Sequence, residues 1–162
     1  MSARKFGSAM AVAVLSAGLA ACGSSSNNKS SSSGSGPALA KGALIAKANA
    51  ICLATQTAAR KVKAPASLQN PTVAAKYLDK IAPITAKETT DLQALKPADE
   101  VKADYTAFLA AQNAANSLIQ TIKHKADTKD ASGLKDLQKA AGTGQKVADT
   151  ANKLGATTCA GG

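Results

Sequence analysis

The sequence predicts an all-α protein, an antiparallel four-helix up-down bundle over residues 38–162, and three observations carry that prediction. Aromatic residues make up 2% of the chain, tryptophan is absent and alanine dominates. Such small side chains suit closely packed helices better than a sandwich that needs aromatic and β-branched residues. Apolar residues recur at alternating steps of three and four in four segments after Pro37, the spacing of a helix face. Val, Ile and Thr seldom alternate with polar residues, and no Asn-Gly or Asp-Gly turn joins two alternating runs, so hairpins have no signature. A length of 162 residues favours one domain with chain left over for other tasks.

The leftover chain comes first. Arg4 and Lys5 form a positive start, Phe6 to Leu19 is apolar and uncharged, and Ala20 and Ala21 are small. That order predicts a signal peptide over residues 1–21, and its apolar stretch falls short of the ~20 residues a membrane-spanning helix needs. Leu19-Ala20-Ala21-Cys22 resembles the lipobox of bacterial lipoproteins, in which the cysteine thiol receives a diacylglyceryl group and becomes the mature N-terminus. The resemblance implies lipid attachment at Cys22, loss of residues 1–21, and a place on the extracytoplasmic face of the cell membrane. Two acyl chains suffice for stable anchoring where one does not. An ordinary signal peptide cut after Ala21, or an uncleaved anchor, are the alternatives. Residues 22–37 then form a linker: Gly23 to Gly36 is Ser, Asn and Gly broken only by Lys29. It has nothing to bury and is expected to stay disordered, spanning on the order of 20 Å.

The first helix is marked by Ile45, Ala48, Cys52, Thr55, Ala59 and Val62 and stopped by Pro65. Asn70-Pro71 opens the second with a capping residue and a proline at the first helical position. Its inner stripe is Ala74, Tyr77, Leu78, Ile81, Ile84, Glu88, Leu92 and Leu95, with Glu88 the discordant member. Pro83 predicts a kink, and Pro97 an end. The third runs from about Ala98 to Lys125, with Asp99 and Glu100 at its positive end and Val101, Tyr105, Phe108, Gln112, Ala115, Ile119 and Ile122 inward. The fourth starts near Asp130. Leu134, Leu137, Ala141, Gly144, Ala148 and Ala151 line it, Leu154 sits beside them, and Gly155 is its C-terminal cap. Gly142 and Gly144 make it the weakest helix unless close packing explains them. Three helices with a frayed fourth segment, or an oligomeric coiled coil, are the competing arrangements; short, proline-marked connections favour the bundle.

Three cysteines become two, Cys52 and Cys159, once Cys22 is taken by lipid. An even remainder in an exported chain predicts a disulfide, and in an up-down bundle the middle of the first helix and the segment after the fourth can be neighbours. Two buried thiols or a redox pair are the other readings. The formal charge is +10; without Arg4 and Lys5, 18 of the 20 basic residues face 10 acidic ones, a net +8. This favours anionic neighbours such as headgroups or cell-wall polymers. The lysines are spread along the chain, which predicts a solvated surface and no specific nucleic-acid site.

Catalytic constellations are missing. His124 stands alone among lysines near the end of the third helix, so zinc and haem sites have no ligand set. Glu88 and Asp91 read as a charged helix face, and a bundle di-metal site needs more Glu and His than two glutamates and one histidine provide. Gly142-Thr143-Gly144 follows no strand and lacks the rest of a phosphate loop. No enzyme activity and no cofactor are expected.

Ala46-Lys47-Ala48-Asn49-Ala50-Ile51-Cys52, Pro83, Leu92 to Pro97, and Leu154-Gly155 followed by Cys159 resemble small alanine-rich lipoproteins of actinobacteria. The resemblance implies a helical fold, a tether and a disulfide, and carries no activity. The expected function is a non-catalytic binding or structural module of the envelope, with an envelope protein or anionic polymer as partner. The alternative is a carrier or sensor of a small apolar molecule, with Tyr77, Tyr105, Phe108 and Gln112 lining its groove.

Overall fold

The computed structural model describes residues 37–161, without the Leu134 side chain. The signal peptide over 1–21, Cys22 and the linker up to residue 36 lie outside the described residues, as does the inward place expected of Leu134. Four helices follow in order: α1 (Lys41–Arg60), α2 (Pro71–Gln93), α3 (Asp99–Asp127) and α4 (Gly133–Leu154), then a 3-10 turn over Thr157–Ala160. There is no strand among the described residues. A single parallel bridge joins Leu39 to Pro97. The fold is an all-helical bundle.

The helix ends follow local chemistry. The Asn70 side chain accepts the N–H groups of Thr72 and Val73 at 2.9 and 3.3 Å, and Pro71 takes the first position of α2, where its missing N–H has no partner to lose. The helix is continuous across Pro83, which is exposed. α4 begins at Gly133, three residues past the expected Asp130. The Asp130 carboxylate explains the delay: it accepts both the N–H and the hydroxyl of Ser132, at 2.8 and 2.9 Å, a turn that competes with helix. At the other end Gly155 has φ 94°, and the N–H groups of Gly155 and Ala156 return to Asn152 and Ala151, the left-handed ending expected for it.

α3 packs against both α2 and α4, while α1 rests on α2 and on the 3-10 turn. The core falls into two clusters. The larger joins Leu44, Ala48 and Cys52 of α1 to Leu92, Val101, Tyr105 and Phe108, and to Val147, Ala151 and Leu154. The smaller joins Ala74, Leu78, Ile122 and Ala126. Buried Tyr105 donates its hydroxyl to the Leu92 carbonyl at 2.6 Å, so its polar end is satisfied.

The inward face expected of α3 holds, with Ala115 and Ile119 half-buried. Other stripes need correction. On α1, Leu44 is fully buried and Ile45 only half. On α2, Ala82 and Thr89 are buried where Ile81 and Glu88 were expected. On α4 the line runs through Val147, Ala151 and Leu154, while Ala141 and Gly144 are exposed. Expected and buried lines coincide at Ala48 and Cys52 of α1, at Ala74, Leu78 and Leu92 of α2 and at Ala151 of α4, while at Leu44, Ala82, Thr89 and Val147 the buried residue is the neighbour of the expected one. Alanine fits either line, so local periodicity alone does not choose between them.

Candidate functional site

Cys52 and Cys159 are joined in a disulfide, with Cα atoms 5.1 Å apart. Cys52 reaches the bond from the buried face of α1, two turns past Leu44, and Cys159 from the 3-10 turn beyond Gly155. Two hydrogen bonds reinforce the junction. Gln56 Nε2 donates to the Thr158 carbonyl at 2.7 Å, and the Thr158 N–H donates to Asn49 Oδ1 at 3.1 Å.

Beyond Cys52, α1 has no buried residue, and Leu53 is exposed. The second half of α1 is only partly covered, with Thr55, Gln56, Ala58 and Ala59 half-buried, and an open cleft of about 350 Å³ lies beside it. Thr55, Gln56 and Ala59 form its α1 side, Glu88 its α2 side, and Gln112 and Ala115 its α3 side. Val147 and Ala148 of α4 line it too, and the disulfide with Ala160 borders it. The volume is that of a small-molecule site. A second cleft of about 240 Å³, between α1 and α2, shares Thr55 and Glu88 with the first.

The polar groups fall in the gap between the two core clusters. On α2 that gap runs from Leu78 to Leu92, and on α3 from Phe108 to Ile122. Glu88 and Gln112 lie within those intervals. Gln112 is 8% exposed. No described side-chain atom sealed from solvent lacks a hydrogen-bond partner, so the Gln112 amide, which joins no hydrogen bond among the described residues, opens onto the cleft it lines. Burial pushes the Glu88 carboxyl up to about 7, because a charge there loses water that nothing replaces. Its neighbour Lys87 is engaged by Asp91 and does not compensate it.

Of the residues expected to line a groove, Gln112 alone does. Tyr105 and Phe108 are sealed in the larger cluster, and Tyr77 borders a smaller cleft of about 190 Å³ with Lys63, Lys76 and Lys80. Glu88 was missed as a site residue although its clash with the apolar stripe was visible. The buried line passes through Thr89, which leaves Glu88 beside it and facing the cleft. His124 is exposed at the end of α3. Among the described residues no group of three or more His, Cys, Asp or Glu side chains gathers as a metal site, and no helix is long and apolar enough to cross a membrane. No known family model, curated protein or solved structure matches the chain.

Proposed function

We propose that this chain is a lipoprotein anchored through Cys22 to the extracytoplasmic face of the cell membrane, whose bundle is a non-catalytic module that holds a small ligand in the central cleft. The observation that carries the ligand reading is the cleft itself: about 350 Å³ with largely small apolar walls and three polar side chains, Glu88, Gln112 and Thr55, that make no hydrogen bond to other described residues. Few polar groups placed in an apolar cavity are how small-molecule sites fix orientation. Nothing around them supplies a nucleophile with a base, which supports binding over turnover.

The bundle is read as antiparallel and up-down. Cross-links between α2 and α3 (Asp79 to Lys123, Thr85 to Asn116, Gln93 to Asn113) support this, as do Asp104 to Lys153 and Lys125 to Asp136 between α3 and α4. Partner numbers fall on one helix as they rise on the next.

Anchor and ligand are tested separately. Wild-type protein is expected to incorporate labelled fatty acid and Cys22→Ala to lose both label and membrane association; unlabelled wild type overturns the anchor. Native mass spectrometry of membrane-extracted protein is expected to show a bound small molecule, and a uniformly ligand-free mass overturns the carrier.

A second reading, an anionic envelope partner, rests on charge. No acidic residue precedes Asp79, and Lys63, Lys76 and Lys80 surround the smaller cleft with Val73 and Tyr77. Binding to anionic vesicles that survives replacement of these three lysines by alanine refutes it.

A further inference from the structure

The cleft holds an acid without a base. Of the titratable groups bordering it or its neighbour on α2, only Lys87 and Asp91 accompany Glu88, and they are paired with each other. α1, α3 and α4 present no charged side chain to the central cleft. Gln112, more than nine-tenths buried, turns an unengaged amide into the same space. Thr55 adds a hydroxyl and Gln56, engaged with the Thr158 carbonyl, an amide; the rest of the wall is small and apolar, chiefly Ala59, Ala115, Val147, Ala148 and the disulfide. No aromatic ring lines it, so a quaternary ammonium, which is held by aromatic faces, has no cage here. An ammonium with N–H donors has acceptors in the Glu88 carboxylate and the Gln112 amide, with the Thr55 hydroxyl at the same cleft.

We propose that the cleft takes an alkylammonium ligand, a protonated primary or secondary amine on an aliphatic chain. Its N–H groups donate to the Glu88 carboxylate and the Gln112 amide oxygen, and its chain lies along the alanine and valine wall. This rests on the reading of the cleft as a ligand site. The ligand brings the positive charge that the site lacks, and a charge-assisted hydrogen bond in a partly dehydrated cleft is stronger than a neutral one. The net positive charge of the protein opposes such a ligand only at long range, where salt screens it.

Ionic pairing has a proton signature. Burial raises the free Glu88 carboxyl to about 7, and the ammonium requires it ionised, so binding near neutral pH expels protons. Affinity for the amine therefore rises with pH through this range. A neutral ligand that accepts a hydrogen bond from protonated Glu88 behaves in the opposite sense.

The test is calorimetry on the full protein held in lipid nanodiscs, with hexylammonium and hexanol as probes and empty discs as the blank. Saturable hexylammonium binding, about tenfold or more tighter at pH 8 than at pH 5, with proton release at pH 7 measured from buffers of different ionisation heat, is the expected result. Glu88→Gln, a neutral isostere, is expected to weaken the ammonium by about tenfold or more and leave hexanol unchanged, with helicity retained by circular dichroism. Gln112→Leu repeats the test without touching the charge and also weakens the amine. Equal binding of both probes, indifferent to Glu88→Gln, overturns the ammonium assignment and leaves a ligand site for uncharged molecules. Saturable binding of neither probe, with a ligand-free native mass, overturns the assignment and the ligand site together.

Discussion

Lys129 has φ 57° and is the non-glycine residue with positive φ among those described. It ends α3 as Gly155 ends α4: the Asp130 N–H returns to Lys125 and the Lys129 N–H to Ala126. The two endings differ in the side chain that must bear a left-handed backbone, which costs a residue with a Cβ about 1–2 kcal/mol. Lys129→Gly is expected to stabilise the domain by up to about 1 kcal/mol. Gly155→Ala is expected to destabilise it by about 1–2 kcal/mol, the more so because its Cβ would lie 3.2 Å from Ile45 Cδ1. Urea denaturation of both variants measures the pair. The α4 ending was legible because glycine marks such positions, whereas a lysine there sends no signal. Glu88 shapes the pH dependence. Its folded value of about 7 exceeds the ordinary 4.5, so between these values the unfolded chain releases the proton first and stability falls as pH rises. Glu88→Gln is expected to raise neutral-pH stability, on the order of 2 kcal/mol, and flatten the profile between those values. Asp136 works the other way. Hydrogen bonds from Lys125 and Lys139 hold its carboxyl at about 2, so its support is present above pH ~4 and fades as pH falls toward 2. Melting curves from pH 3 to 8 in wild type and Glu88→Gln separate the two groups.

At the scale of the element, α4 contains the clearest local flaw. Gly142 is exposed mid-helix, and an added Cβ would meet nothing within 4 Å. Close packing does not explain it, so Gly142→Ala is expected to stabilise by about 0.5–1 kcal/mol through the cost of a glycine in a helix, read as a shift in thermal midpoint. A neutral or destabilising result would mean that the glycine meets a demand outside this fold. Helix existence was legible throughout, but faces were not equally so. In α3, Val101, Tyr105, Phe108 and Ile122 are large enough that only one rotation buries them all. In α4 alanine flanks the true line, and its indifference to exposure let the expected stripe drift from Val147 to Ala148, whereas in α1 only the first position, Leu44 for Ile45, was displaced. The start of α4 was obscured differently, by an Asp-Ser turn that imitates a helix start and then delays it.

For the whole molecule, the disulfide governs how α1 is kept. This helix rests on α2 and on the 3-10 turn, and past Cys52 none of its residues is fully buried. Joining residues 107 apart restricts the unfolded chain by up to about 4–5 kcal/mol, and natural disulfides in small domains commonly contribute upward of ~2 kcal/mol. Reduction, or Cys159→Ser, is expected to lower the thermal midpoint while most helical signal persists below it, because the α2–α3–α4 contacts do not involve the bond. An unchanged midpoint in reductant would show that α1 is held by other means. The pairing was legible from cysteine arithmetic and helix count. The cleft was not, since its walls come from all four helices and the 3-10 turn, and no local pattern in α1 encodes the position of its neighbours.

The bridge at Leu39 bears on what happens when the chain is pulled from its N-terminal side. Leu39 donates its N–H to the Lys96 carbonyl at 2.7 Å and accepts the Ala98 N–H at 2.9 Å, so it is clamped to the junction of α2 and α3 two residues before α1 begins. Tension arriving at Pro37 meets that clamp before it meets α1. The load passes into the centre of the fold, where two long helices share it, and α1 is shielded from being peeled off one turn at a time. A pull from the N-terminal side therefore reaches α1 only after the Leu39 clamp has opened.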